Sequence, residues 1–147
     1  MKIISKKVDN LEESTIVLSY IEWDEQLEEI TNFIQSLGEK VPVYGENGEM
    51  LLLQVENILY FEAVGELVFA YTDDQVYEIK KRLYQLEQSL ESHKIIRASK
   101  SMLLNLRQIR SVRPAVNGRF YAKMSNGEEV LISRQYAKGV TAQVMSA

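Results

Sequence analysis

The chain has 147 residues, 46% hydrophobic and 26% charged, with a net charge of −4, the composition of one globular domain with room for an appendage. It holds no cysteine and a single histidine, His93, which excludes a disulfide framework, a thiolate zinc site and a cysteine nucleophile, and argues against a histidine metal site. No apolar run approaches the ~18 residues of a membrane span and the N-terminus has no stretch fit for a signal peptide, so a cytoplasmic protein without a cofactor is expected.

Residues 3–8 ("IISKKV") and 14–21 ("STIVLSYI") read as two short strands, the second rich in β-branched residues. Asp24 then opens a helix on which Trp23, Leu27, Ile30, Ile34 and Leu37 recur at steps of three and four, one apolar stripe. Glutamates 25, 28 and 29 sit at its positive end and Gly38 follows its last turn. This β-β-α prefix, residues 1–40, is expected to pack onto the rest of the chain or onto a second copy, the second case making it a dimerisation element. From residue 41 to 147 the pattern is mainly β and antiparallel. "VYGENGEMLLLQ" is a hairpin turning at Asn47-Gly48. Residues 56–80 read as strand, turn at Gly65, strand, turn at Asp73-Asp74, strand. Ile79, Leu83, Leu86 and Leu90 then follow helical spacing, which predicts a helix over 80–91. Ile95 and Ile96 start a short strand, "SKSMLLNL" fits a turn or one helical turn, and "IRSVRPAV" is a strand closed by Asn117-Gly118. A hairpin around Asn126-Gly127 comes next. The C-terminal fifteen residues form a short helix or a loose tail, Gly139 counting against the helix.

The net charge hides a split. Residues 1–92 carry 7 Lys and Arg against 19 Asp and Glu, while residues 93–147 carry 10 against 2. No acid lies between Ser92 and Gly127, where eight basic residues fall. The two halves could neutralise each other when folded, but surface ion pairs contribute little each, and a one-sided field suits capture of phosphates. A nucleic acid is therefore the expected partner.

Three local patterns carry a resemblance: "ILYFEA" at 58–63, "IIRASKSMLLNLRQI" at 95–109 and "MSNGEEVLISRQY" at 124–136. Together, in this order and spacing, they resemble the LytTR family of bacterial DNA-binding domains over about residues 41–140; the prefix lies outside. The resemblance implies stacked antiparallel sheets that read double-stranded DNA through loops entering successive major grooves. Its base-reading positions fall here on Lys100 and Arg134, with Arg97, Ser99, Ser101, Arg107, Arg110 and Ser133 left for the DNA backbone or for register. A third family contact falls near Val68, where this sequence has no obvious donor. Common members of that family carry a receiver domain ahead of the DNA-binding unit, and the ~40 residues here are too few for one, so a stand-alone regulator bound as a homodimer to paired repeats is expected; the resemblance weakly implies a membrane-protein partner.

The residue chemistry agrees. Arg and Lys donate to guanine O6 and N7 in the major groove, Arg bidentately, while Ser bonds phosphates and fixes register. Blander readings stand beside these. Asn105 favours a turn or cap, Met102, Leu103, Leu104 and Leu106 belong in the core, and Arg110 and Arg113 alternate along a strand as a solvated face would. Glu62, without a partner histidine or metal cluster, reads as structural. No Gly-rich phosphate loop or nucleophile–base spacing is visible, so no enzyme is expected. The alternative is a protein–protein adaptor, suited to the acidic half and the amphipathic helix.

Overall fold

The computed structural model describes residues 2–9, 16–36 and 38–146. The first helix, α1 (Glu25–Ser36), is capped by Asp24, whose carboxylate accepts the Leu27 N–H at 2.8 Å. That bond satisfies one of the donors a helix start leaves open. Leu27, Ile30 and Ile34 of the expected stripe are half-buried, and Trp23 is exposed. Leu37 lies outside the described residues.

Among the described residues the two strands expected before α1 do not form. Residues 2–8 and 16–20 have no ladder partner, and residues 10–15 lie outside the described residues. The reason is physical: branched side chains favour a strand only where a neighbouring edge supplies backbone partners, and here they stand in solvent. Ile3 is 89% exposed and Ile21 100%.

The remainder follows the expected meander. β1 (Lys40–Tyr44) and β2 (Met50–Gln54) form a hairpin, followed by β3 (Tyr60–Val64), β4 (Leu67–Tyr71) and β5 (Val76–Ile79). Then come α2 (Leu83–Ser89), β6 (Ile95–Ser99), β7 (Met102–Asn105), β8 (Ile109–Pro114), β9 (Phe120–Met124), β10 (Glu129–Ile132) and α3 (Arg134–Ser146). Gly48 and Gly127 adopt φ of 77° and 90° at the two Asn-Gly hairpin turns, a region where a side chain is strained. α2 is shorter than the periodicity predicts. Ile79 belongs to β5, and the helix starts after Arg82, whose N–H is accepted by the Gln85 side chain at 2.9 Å. The ambiguous "SKSMLLNL" resolves into a turn and β7, all four of whose residues are buried. α3 runs 13 residues in spite of Gly139, because Ala137 and Val140 dock into the core.

β1–β7 build a seven-stranded sheet in the order β2-β1-β5-β4-β3-β7-β6, and β8–β10 a three-stranded one in the order β10-β9-β8. One core lies between the large sheet and α2: Phe61, Val68, Ala70 and Leu103 pack with Leu83, Leu86 and Leu90. A second joins the sheet's other face to the small sheet and α3: Tyr60, Ala98 and Leu104 pack with Ala122, Met124, Ile132 and Val140. The middle strands are thus covered on both faces. Asn105, 1% exposed, donates to the Ile58 carbonyl at 2.8 Å and accepts the Arg107 N–H at 3.1 Å, which makes it the structural residue its chemistry suggests.

Candidate nucleic-acid interface

The second and third sequence motifs meet at one end of the β6–β7 hairpin. A register shift between Arg97 and Ser99 interrupts the β6–β7 ladder, and such a bulge re-aims the residues beside it. The turn that follows carries Lys100 and Ser101. It is tied from two sides: the Ser101 carbonyl accepts the Ala63 N–H at 2.8 Å, and the Ser101 N–H donates to Ser99 Oγ at 3.3 Å. Ser133, between β10 and α3, donates its N–H to the Ala98 carbonyl at 3.0 Å. That single backbone bond locks the start of α3 against the Lys100 turn.

Ser99, Lys100, Ser101, Ser133, Arg134 and Gln135 consequently line one open cavity of about 610 Å³. Lys100 and Arg134 are its charged residues, both exposed, and no carboxylate lines it. Arg134 opens α3, and a cation at the positive end of a helix is unfavourable. Its stem is held by a close approach: a Cβ on Gly118, whose φ is 75°, would stand 3.0 Å from Arg134 Cγ and Cδ. The Asn117-Gly118 turn therefore aims Arg134. A neighbouring cavity shares Ser99, Ser101 and Ser133 but is lined by Glu62, Glu128 and Glu129 as well. Acid, together with Arg119, thus borders the basic hollow across a row of serines.

The tyrosines beside that border are fixed by carboxylates. Tyr60 and Tyr71 stack at 4.3 Å, Tyr60 donating to Glu128 at 2.6 Å and Tyr71 to Glu62 at 3.0 Å. Burial first, and then the hydrogen bond to Glu62, pushes the Tyr71 hydroxyl up to about 12; burial and Glu128 push Tyr60 in the same direction. Glu62 is thereby occupied as a structural acceptor.

Three of the eight residues expected at the DNA lie outside this cavity. Arg97, its side chain 16% exposed, donates to Glu87 of α2 at 2.9 Å and to the Lys100 carbonyl at 2.8 Å. It braces the turn from behind. Arg107 stacks over Phe33 of α1 at 4.7 Å, and burial lowers its pKa against the pull of Glu56 and Glu29. Arg110 donates to the Ser125 carbonyl at 2.6 Å, on the small sheet. Val68 is 5% exposed and faces the first core, so no contact is available from its side chain. Gln135 in the cavity and Glu87 behind Arg97 are not among the residues the sequence motifs single out, and Gly118, legible there as a turn residue, lies behind Arg134 as well. Gln135 was the one within reach, since it stands next to Arg134 at a helix start.

The LytTr DNA-binding domain family matches residues 48–145. An uncharacterized HTH-type transcriptional regulator of Staphylococcus aureus is 27% identical over 132 residues, 89% of this chain and 89% of that protein. A sensory transduction protein LytT of Enterococcus faecalis is 29% identical over 100 residues, 68% of this chain and 41% of that protein. Among solved structures, a LytTr DNA-binding domain from Bacillus cereus superposes with a TM-score of 0.66 at 22% identity, over 74% of this chain and 97% of that one; the fold is shared. Among the described residues strands separate α1, α2 and α3, so no two of them form the helix–turn–helix pair in the staphylococcal protein's name. With two thirds of its length matched by the family, the chain belongs to the LytTr DNA-binding domain family.

Proposed function

We propose that this chain is a DNA-binding transcriptional regulator that reads duplex sequence with side chains presented by loops and by the start of a helix. The observation that carries the reading is the acid-free cavity that gathers Lys100 and Arg134 from separate motifs onto one surface. Arg134 supplies the planar fork that pairs with guanine O6 and N7, and Lys100 adds a point charge to the same groove. Ser99, Ser101 and Ser133, with the open N–H groups at the start of α3, take phosphate oxygens and set register. Arg97 acts on the DNA indirectly, by holding the Lys100 turn. Two copies bind paired repeats about one helical turn apart, in the cytoplasm where the chromosome lies. A membrane-protein partner as the source of the signal rests on the family resemblance alone.

The test begins with selection of bound sites from a random duplex pool, followed by titration of variants on the selected and a scrambled duplex across a salt series. Arg134→Ala loses ~1–3 kcal/mol on the selected site and much less on the scrambled one. Lys100→Ala loses less than Arg134→Ala. An equal loss on both duplexes, with the salt slope shallower by about one, makes Arg134 a backbone contact and sinks its role as reader.

A further inference from the structure

Residues 2–8 and the β1–β2 hairpin are each incomplete in a single chain. In the first segment Ile3, Ile4 and Val8 are 89%, 79% and 49% exposed and without a ladder partner. In the second, β2 ends the seven-stranded sheet, paired on one side only, with Met50 and Leu52 62% and 63% exposed. The register shows which groups of β2 are open. Gly45 N–H donates to the Glu49 carbonyl, so the bonded pairs alternate from there. Tyr44↔Met50 and Pro42↔Leu52 are the non-bonded pairs. Pro42, which has no N–H, fits only such a position. The N–H and C=O of Met50 and Leu52 therefore turn away from β1, toward the free edge.

We infer that residues 2–8 of one chain add as a strand to the β2 edge of a second copy, and that the reciprocal exchange closes a two-fold dimer. Charge selects this edge. The segment "KIISKKVD" carries three lysines and one aspartate, while residues 39–56 carry Glu39, Glu46, Glu49 and Glu56 against Lys40. The other free edges suit the segment less. β8 carries Arg110 and Arg113, which repel it, β6 is tied to Ser133, and β10 runs into the DNA-facing cavity. Strand addition of this kind draws affinity from the backbone ladder and selectivity from the flanking side chains. It also covers a long apolar edge of the sort that otherwise aggregates. The β2 edge lies apart from the Lys100–Arg134 cavity, sharing no lining residue with it. The dimer can therefore form while both cavities stay open.

This inference deepens the dimer proposed above but needs no DNA for its test. Light scattering of the full chain should give a dimer, and deletion of residues 2–8 a monomer. Lys6→Glu with Lys7→Glu, or Glu46→Lys with Glu49→Lys, should weaken the dimer roughly tenfold, and the four changes together should restore it. That restoration separates a lost contact from a damaged fold. The chain has no cysteine of its own, so chains with Ser5→Cys mixed with chains with Leu52→Cys should join through a short bismaleimide. A monomeric wild type, a dimer that survives the deletion, or a cross-link formed only inside one doubly substituted chain overturns the inference. Failure of the wild type to bind any duplex strikes at the regulator and leaves this result intact.

Discussion

Residues 16–34 and residues 41–61 are equally rich in branched and aromatic side chains, yet they end in opposite states. In the first segment Ile16, Val17 and Ile21 are 66–100% exposed, and α1 rests on the domain with Thr31 Oγ1 and with His93 Nδ1 of the facing turn both buried and unpaired. In the second, Val43, Ile58 and Phe61 are wholly buried between a sheet and α2. The difference is one of partners. Each strand of the second segment meets a neighbour within a few residues of chain, so local hairpins bring the core together at small entropic cost. The first segment has no adjacent strand and an interface with polar atoms unsatisfied. Burial of a strand in this protein needs both a ladder partner and a covered face, since Met50 and Leu52 pair with β1 and still stand 62% and 63% exposed.

The comparison breaks or holds on a pair of substitutions. Phe61→Ala removes a fully buried ring from the centre of the first core and should lower unfolding free energy by about 3–5 kcal/mol. Ile21→Ala removes a side chain that is 100% exposed and should stay within about 0.5 kcal/mol. Urea midpoints of the two variants read both. A large effect at Ile21 would mean that the N-terminal segment has found a partner, and repeating the measurement on the chain lacking residues 2–8 would say whether that partner is the exchanged strand.

A smaller effect sharpens the contrast at the Lys100–Arg134 end, where polar contacts rather than burial fix geometry. Arg97→Ala removes the brace between Glu87 and the Lys100 carbonyl, a charged contact largely shielded from water. Half-exposed Glu87 regains water, so the expected loss of stability is about 1–2 kcal/mol. Hydrogen exchange at the Lys100 and Ser101 amides should quicken. DNA affinity should fall with the salt slope unchanged, because no phosphate contact is lost. A salt slope shallower by about one would place Arg97 on the backbone instead.

These particulars show what was legible in the sequence. The hairpins at Asn47-Gly48 and Asn126-Gly127 were readable because positive φ leaves few residue choices. β7 was not, since burial on both faces erases the alternation that marks a strand. The prefix strands were misread because β-propensity says nothing of whether an edge is available. The motifs singled out Lys100 and Arg134, and the fold sets both on one cavity. Along the acid-free stretch from Ser92 to Gly127 several bases have partners within the chain. Arg97 is paired with Glu87, Arg113 with Glu129 at 2.9 Å, and Arg107 lies on Phe33. Each of these partners is distant in sequence, and charge counting along a chain cannot see them.

The smallest expected effect tests whether polar groups between the two sheets are as well partnered as the apolar ones. Tyr71 has its hydroxyl raised to about 12 by burial and by Glu62, and Tyr60 is shifted in the same direction by burial and Glu128. In an unfolded chain both titrate near ~10. The folded state thus favours the neutral phenols: the Tyr71 contribution is fully present below about pH 10 and is lost as pH rises through about 12, and that of Tyr60, raised further, is lost only above it. Stability of the wild type should fall across that window. In Tyr71→Phe the ring stack on Tyr60 remains and the titrating hydroxyl is gone, so the fall should be shallower. At neutral pH the same variant should lose no more than about 1 kcal/mol, because half-exposed Glu62 regains water in place of the hydroxyl. Urea midpoints taken at several pH values, with tyrosinate absorbance followed in parallel, measure both. Equal alkaline slopes in wild type and Tyr71→Phe would mean that the Tyr71–Glu62 contact is open to solvent, and that the second core, unlike the first, ends at its apolar side chains.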